Sequence, residues 1–218
     1  NAEEVFDKIT VPAYTFGGWF DIFSQGTLRG YVGMSQKGGT PEARKGSRLI
    51  IGPWGHGSSR KTGELDFGEH AHVEQQSLEL AYFDYWLKGE KNGLYKVPPV
   101  SLFVMGRNEW RQENEYPLAR TKYRKMYLPS GGKSNTLGGN GRLGWKAPDK
   151  SGTDSYRYDP ANPVPSLGGN NCCGTPTPAG PRDQRPVEER ADVLVYTSEF
   201  LEEPLEVTGP VKVVLYAS

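Results

Sequence analysis

Two stretches decide the fold: Val-Pro-Ala-Tyr-Thr-Phe-Gly-Gly-Trp-Phe-Asp at residues 11–21, and Leu-Ile-Ile-Gly-Pro-Trp-Gly-His at residues 49–56. Each is a short apolar run, stopped by glycine, with one acid–base residue just beyond it. Residues 11–16 read as a strand, with Pro12 suited to a strand end or an edge. Residues 49–52 read as a second strand. Between them, residues 22–37 can be helical, with Phe23, Leu28, Tyr31, Val32 and Met34 as candidate buried positions. Gly26, Gly30 and Gly33 weaken that helix, although glycines also allow close helix–sheet contact. Strand, helix, strand is the pattern of two parallel neighbours joined by a crossover.

Working outward, residues 74–88 form the best helical pattern in the chain. Leu78, Tyr82, Tyr85 and Trp86 fall at the spacing of one buried face, and Leu80, Phe83 and Leu87 are expected to widen it. Gly89 is a natural C-terminal cap. The character of the chain changes near Val97. From there short strand-like pieces, at 100–105, 125–128, 192–197 and 207–217, are separated by Gly, Pro and Asn clusters. Val211, Val213 and Leu215 would share one strand face. The expected fold class is mixed: the last strand–helix units of an α/β-hydrolase-like domain over residues 1–96, then part of a β jelly-roll sandwich over 97–218. The β part looks incomplete, since the strand pattern runs to the last residues.

Composition narrows the functional classes. Lys plus Arg and Asp plus Glu are 26 each, so the net charge is zero. Nothing then attracts a phosphate backbone or anionic lipid at long range, which argues against nucleic acid and membrane partners. No apolar run approaches the roughly 20 residues that span a bilayer, and no signal peptide is visible. Apolar residues are only 35%, but 5 Trp, 12 Tyr and 8 Phe can supply a core. The adjacent Cys172 and Cys173 read as two free thiols in a loop, because a disulfide between neighbours is strained.

The chemistry sits after the two strands. In parallel α/β sheets, sites form outside the carboxyl ends of the strands, so Asp21 and His56 can meet. An Asp hydrogen-bonded to one imidazole nitrogen fixes the histidine tautomer and leaves the other nitrogen for a nucleophile. Each has a plainer reading: Asp21 as a helix N-cap, His56 as a solvated loop residue. Trp19, Phe20, Phe23 and Trp54 are core residues or the lining of an apolar substrate pocket. No Gly-x-Ser-x-Gly occurs, although that is the motif of the hydrolase nucleophile elbow. Chain order in that fold is Ser, acid, His, so a serine is expected upstream of Asn1. His70 and His72 lack an evident third ligand, so no metal and no cofactor are expected.

Several motifs in order resemble the cocaine-esterase and X-Pro dipeptidyl-peptidase family, the CocE/NonD hydrolases. They are Gly-Gly-Trp-Phe-Asp (17–21), Ile-Gly-Pro-Trp-Gly-His (51–56), Phe-Asp-Tyr-Trp-Leu-Lys-Gly (83–89) and Phe-Val-Met-Gly-Arg-Asn-Glu-Trp-Arg (103–111). Tyr-Asp-Pro-Ala-Asn-Pro-Val-Pro-Ser-Leu-Gly-Gly (158–169) and Asp-Gln-Arg-Pro-Val-Glu-Glu-Arg-Ala-Asp-Val-Leu (183–194) extend the match. The resemblance implies ester or amide hydrolysis through an acyl-enzyme, with Asp21 as the triad acid and His56 as the triad histidine. It implies that the serine, and a tyrosine of the oxyanion hole, have no counterpart in this chain. In α-amino-acid ester hydrolases of the family, carboxylates that bind the substrate ammonium follow the triad acid. Here Ile22, Phe23 and Ser24 follow, which points to an uncharged or aromatic acyl group. The expected partner is a small-molecule ester or amide, with a homo-oligomer as a candidate assembly, and the 218 residues alone are expected to be inactive. The alternative is a non-catalytic β-sandwich module, residues 97–218, that binds carbohydrate or a protein partner.

Overall fold

The computed structural model describes residues 2–150, 152–172 and 178–218. They form two compact units, residues 1–120 with 168–181 and 208–218, and residues 121–167 with 182–207. In the first unit, β1 (Tyr14–Gly18) is followed by α1 (Ser24–Lys37), α2 (Pro41–Gly46) and β2 (Arg48–Gly52). The strands pair in parallel, Tyr14 opposite Arg48 through Gly18 opposite Gly52. The first strand starts three residues later than the sequence suggests, because Val11 is exposed and Pro12 precedes the ladder.

All five residues of β2 are buried, as the central strand of a parallel sheet requires. Its other neighbour is β5 (Val100–Val104), also parallel, and β5 in turn pairs antiparallel with β6 (Glu109–Glu113). The sheet order is β1-β2-β5-β6, so one sheet runs past residue 97 as far as Glu113. Period-2 alternation sends Leu49, Ile51, Val100 and Leu102 to one face, where Tyr31, Tyr116 and Leu118 complete a buried cluster. Phe103 points to the other face and meets Phe67 and Ala71. Each fully buried Leu or Ile contributes about 1.5–3 kcal/mol, so this cluster is the main anchor of the sheet.

In α1, Tyr31 and Met34 are buried and Leu28 and Val32 pack beside the core, but Phe23 is exposed. Gly33 has a packing reason: a Cβ there would lie 2.0 Å from the Phe6 ring. The small hairpin β3 (Lys61–Thr62) and β4 (Leu65–Asp66) leads to α3 (Gln75–Lys88), which ends at Gly89. Tyr82 is buried, and Trp86 donates to the Tyr95 hydroxyl at 2.6 Å. Leu80, Phe83 and Leu87 do not widen the buried face: they are 59%, 52% and 78% exposed. At about 100° per residue they fall on the side opposite Leu78, Tyr82 and Tyr85.

The second unit is mostly irregular. The strands expected at 125–128 and 192–197 appear as single bridges, Tyr127 with Gly144, Asn135 with Leu194 and Arg142 with Thr197. Its one α-helix among the described residues is α4 (Arg185–Glu188). The Asp154 carboxylate is an internal tie, accepting from Ser130 at 2.5 Å, Tyr196 at 2.6 Å and the Ser134 amide at 3.0 Å. Burial raises its pKa, but these hydrogen bonds outweigh it and hold the carboxyl below its ordinary value. No strand forms over 207–217, where Val211, Val213 and Leu215 are exposed. A period-2 stretch becomes a strand only when a ladder partner takes up its backbone groups. Cys172 is disulfide-bonded, which corrects the free-thiol expectation there; Cys173 lies outside the described residues. Among the described residues, no helix is long and apolar enough to cross a membrane.

Candidate active site

The loops that leave β1 and β2 run side by side. Trp19 N–H donates to Gly52 O and Phe20 N–H to Trp54 O, each at 2.9 Å, extending the parallel pairing beyond the strands. Gly18 makes this approach feasible: a Cβ there would stand 2.1 Å from the Trp54 carbonyl oxygen. The chain then turns at Asp21, whose carbonyl accepts from Ser24 N–H at 3.0 Å as α1 begins.

Asp21 is 7% exposed, and its two carboxylate oxygens have separate partners. Oδ1 accepts the Phe23 amide at 2.9 Å, an Asx-type turn at the start of the helix. Oδ2 lies 3.1 Å from Nδ1 of His56. The local turn role and the long-range role therefore coexist, one oxygen each. A carboxylate can only accept, so the network assigns the proton of the neutral ring to Nδ1 and leaves the lone pair on Nε2. The His56 side chain is half exposed, with the Phe23 ring edge-on at 5.5 Å between centroids.

Of the four aromatic candidates, Phe23 alone is both exposed and beside the imidazole. Trp19 is half-buried and its indole donates to Phe103 O at 2.9 Å. Phe20 packs against the cluster of Phe67, Ala71 and Phe103. Trp54 is 2% exposed and donates to Ala71 O at 2.7 Å. Its ring covers Gly52, so it braces the loop that carries His56. His72 lies 2.8 Å from Glu74, and that hydrogen bond, with a second to Ser58 O, raises its pKa. Among the described residues no group of three His, Cys, Asp or Glu side chains could hold a metal.

One residue escaped the sequence reading. The Asn170 side-chain amide reaches Trp19 O at 3.1 Å, Asp21 O at 2.8 Å and Ser24 Oγ at 3.0 Å. The only sequence hint is its place directly after the Leu-Gly-Gly that closes the motif at 158–169.

An acid and a histidine joined through Nδ1, after consecutive parallel strands, have the arrangement used by acid–histidine pairs of α/β hydrolytic enzymes. Comparison with known proteins agrees at the level of family. Residues 1–58 match the X-Pro dipeptidyl-peptidase (S15 family), and residues 92–218 match the X-Pro dipeptidyl-peptidase C-terminal non-catalytic domain. The chain belongs to the X-Pro dipeptidyl-peptidase and cocaine-esterase (CocE/NonD) family of serine hydrolases. It is 39% identical over 214 residues to cocaine esterase of Rhodococcus sp. (strain MB1 Bresler), covering 96% of this chain and 36% of that enzyme. It also resembles the crystal structure of an aminopeptidase from the marine sediment archaeon Thaumarchaeota archaeon. That match has a TM-score of 0.69 and 27% identity, over 95% of this chain and 34% of the aminopeptidase. The chain thus spans about a third of the length of these relatives.

Proposed function

We propose that this chain is the C-terminal part of a serine acyl hydrolase that cleaves ester or amide bonds through an acyl-enzyme. The observation that carries the reading is the 3.1 Å contact of Asp21 Oδ2 with His56 Nδ1 at the carboxyl ends of two parallel strands. Residues 1–96 would be the end of the catalytic domain and 97–218 part of a β jelly roll. The family matches at 1–58 and 92–218 support that division, although the sheet of the first continues into the second.

The nucleophilic serine and the oxyanion donors come from sequence preceding this chain, consistent with its covering about a third of its relatives. Serine Oγ attacks the acyl carbonyl while His56 Nε2 takes its proton, and the proton then passes to the leaving alcohol or amine. Water, deprotonated by the same nitrogen, releases the acid. Asp21 keeps the Nδ1–H tautomer and stabilises the imidazolium formed at each transfer. Phe23 contributes an apolar contact beside the reacting carbonyl, which favours uncharged or aromatic acyl groups, while Trp19, Phe20 and Trp54 pack within the loops that carry Asp21 and His56 and act as their supports.

The test is turnover of p-nitrophenyl esters and aminoacyl amides by the full-length protein. His56→Ala should abolish turnover in a folded protein, and a fluorophosphonate should label a serine outside these 218 residues. The chain alone should give no label. Near-wild-type turnover by purified His56→Ala protein removes His56 from the mechanism, and a labelled serine within the chain removes the division of parts.

A further inference from the structure

Asn170 touches three acceptors that bracket Asp21 in the chain: the carbonyls of Trp19 and Asp21 itself, and the hydroxyl of Ser24 at the first turn of α1. Two of these are carbonyl oxygens, which only accept, so the side-chain NH2 must face them. The separation along the chain is 146 to 151 residues, which makes this a tertiary clamp and not a local turn.

The segment carrying Asn170 is tied down at a second point. Gly169 and Gly180 exchange backbone hydrogen bonds of 2.8 and 2.9 Å, and Pro181 O accepts from Glu64 N–H at 3.0 Å. Glu64 lies in the turn between β3 and β4, shortly after His56. A single strap, from the region matched as a non-catalytic domain, is thus hydrogen-bonded both to the loop bearing Asp21 and to the hairpin following His56.

The backbone amides of Trp19, Phe20 and Asp21 are held by Gly52, Trp54 and Gly18. Asn170 is what holds the carbonyl side of Trp19, and it shares the Asp21 carbonyl with the Ser24 amide. We propose that Asn170 is a positioning residue: it clamps the Asp21 loop so that Oδ2 stays in register with His56 Nδ1. This rests on the reading of Asp21 and His56 as the catalytic pair. The chemistry needs sub-ångström placement of that pair, and a misplacement of about 1 Å costs on the order of 100-fold. Asn170 is exposed, so its loss removes the clamp without opening a core cavity.

The experiment compares Asn170→Ala and Asn170→Asp with wild type in the full-length protein. It measures kcat and KM on a p-nitrophenyl ester, thermal midpoint, and the His56 Nδ1–H resonance in 15N-histidine-labelled protein. His56→Ala assigns the resonance. In Asn170→Ala, kcat should fall about 10- to 100-fold with KM within about threefold, and the resonance should broaden into exchange with water. Asn170→Asp should be worse, because its carboxylate faces two carbonyl oxygens. A strut that merely stabilises the fold would lower the thermal midpoint, leaving the resonance and kcat per folded molecule unchanged; that outcome overturns the proposal. So does kcat within about twofold of wild type in both variants. If His56→Ala keeps its turnover, the catalytic-pair reading fails separately, and the resonance still reports whether Asn170 holds Asp21 to His56.

Discussion

Replacing Asp21 by Asn exchanges one carboxylate oxygen for an NH2 group, in a site where each oxygen has its own partner. Oδ1 accepts from the Phe23 amide and Oδ2 faces His56 Nδ1. The new amide can be seated in two ways. If its oxygen keeps the Phe23 bond, its NH2 faces His56, so Nδ1 must become the acceptor and the proton moves to Nε2. That tautomer cannot take a proton from serine. If the amide is turned about, its NH2 opposes the Phe23 N–H, and a buried donor is left unsatisfied at a cost of about 1–3 kcal/mol. The unproductive arrangement is therefore favoured by about 5- to 150-fold at roughly 1.4 kcal/mol per tenfold. Loss of the negative charge then removes the stabilisation of the imidazolium in the transition state. Together these should lower kcat by about 10³–10⁴, close to the loss seen when the same substitution is made in a serine-protease triad. KM should barely change, because the carboxylate acts on the transition state and not on bound substrate. The assay is ester turnover by the full-length variant, with 15N shifts of His56 reporting which nitrogen carries the proton. Turnover within about tenfold of wild type, or a His56 that remains protonated on Nδ1, would refute the mechanism drawn from this geometry.

Other perturbations test the supports of the site. Gly18→Ala puts a methyl group 2.1 Å from Trp54 O, so the paired loops must separate; an overpacking cost of about 1–3 kcal/mol should appear as a lower urea midpoint, with turnover falling alongside it. Unchanged values would show that the close approach is dispensable. Trp54→Phe leaves Ala71 O without its 2.7 Å donor and should cost about 1–3 kcal/mol in the same assay, whereas a neutral result would mean that the brace carries no load. Arg120 hydrogen-bonds Glu113 at 2.7 Å and, despite partial burial, lowers its pKa, with Arg111 adding to the effect. A depressed carboxylate stabilises above its unfolded pKa of about 4.3 and loses that contribution as pH falls through the folded value. Arg120→Ala should therefore raise the pH of acid unfolding, by a contribution of at most about 1 kcal/mol because Arg120 is largely exposed. Identical acid midpoints would show the pair to be inert.

What could be read from the sequence was set by how local the governing physics is. The run at 49–52 announces a strand because a strand covered on both faces needs continuous apolar side chains, and all five residues of β2 are buried. The buried face of α3 was legible from its period, but its width was not, because that depends on what the rest of the protein brings against Leu80, Phe83 and Leu87. The apolar run at Val100 is a strand, yet nothing in its residues says that its partner is β2 and not a strand of the following region. The same limit governs Val211, Val213 and Leu215. Alternation says which face would be covered and leaves open whether a ladder partner exists.

The site divides in the same way. Asp21 and His56 could be brought together in advance because parallel pairing is a strong constraint: once β1 and β2 are neighbours in register, the residues just past their carboxyl ends cannot be far apart. Which aromatic side chain faces solvent was not accessible by that route. Trp19, Phe20, Phe23 and Trp54 have much the same composition signal, and hydrogen-bond partners distant in sequence, Phe103 O and Ala71 O, anchor the two tryptophans. Asn170 is the extreme case, since no periodicity links it to a loop 149 residues away. The order of the chain still leaves a trace of this tie. The strap that reaches back to the Asp21 loop comes after the strands that define the loop, and it lies in the region whose family description is non-catalytic. Holding the acid in place is a role that such a region can have without contributing a reacting atom. If Asn170 proves to act in this way, the two matched segments form one functional unit, and exchanging the second for that of a relative should preserve turnover only where the amide at this position is retained.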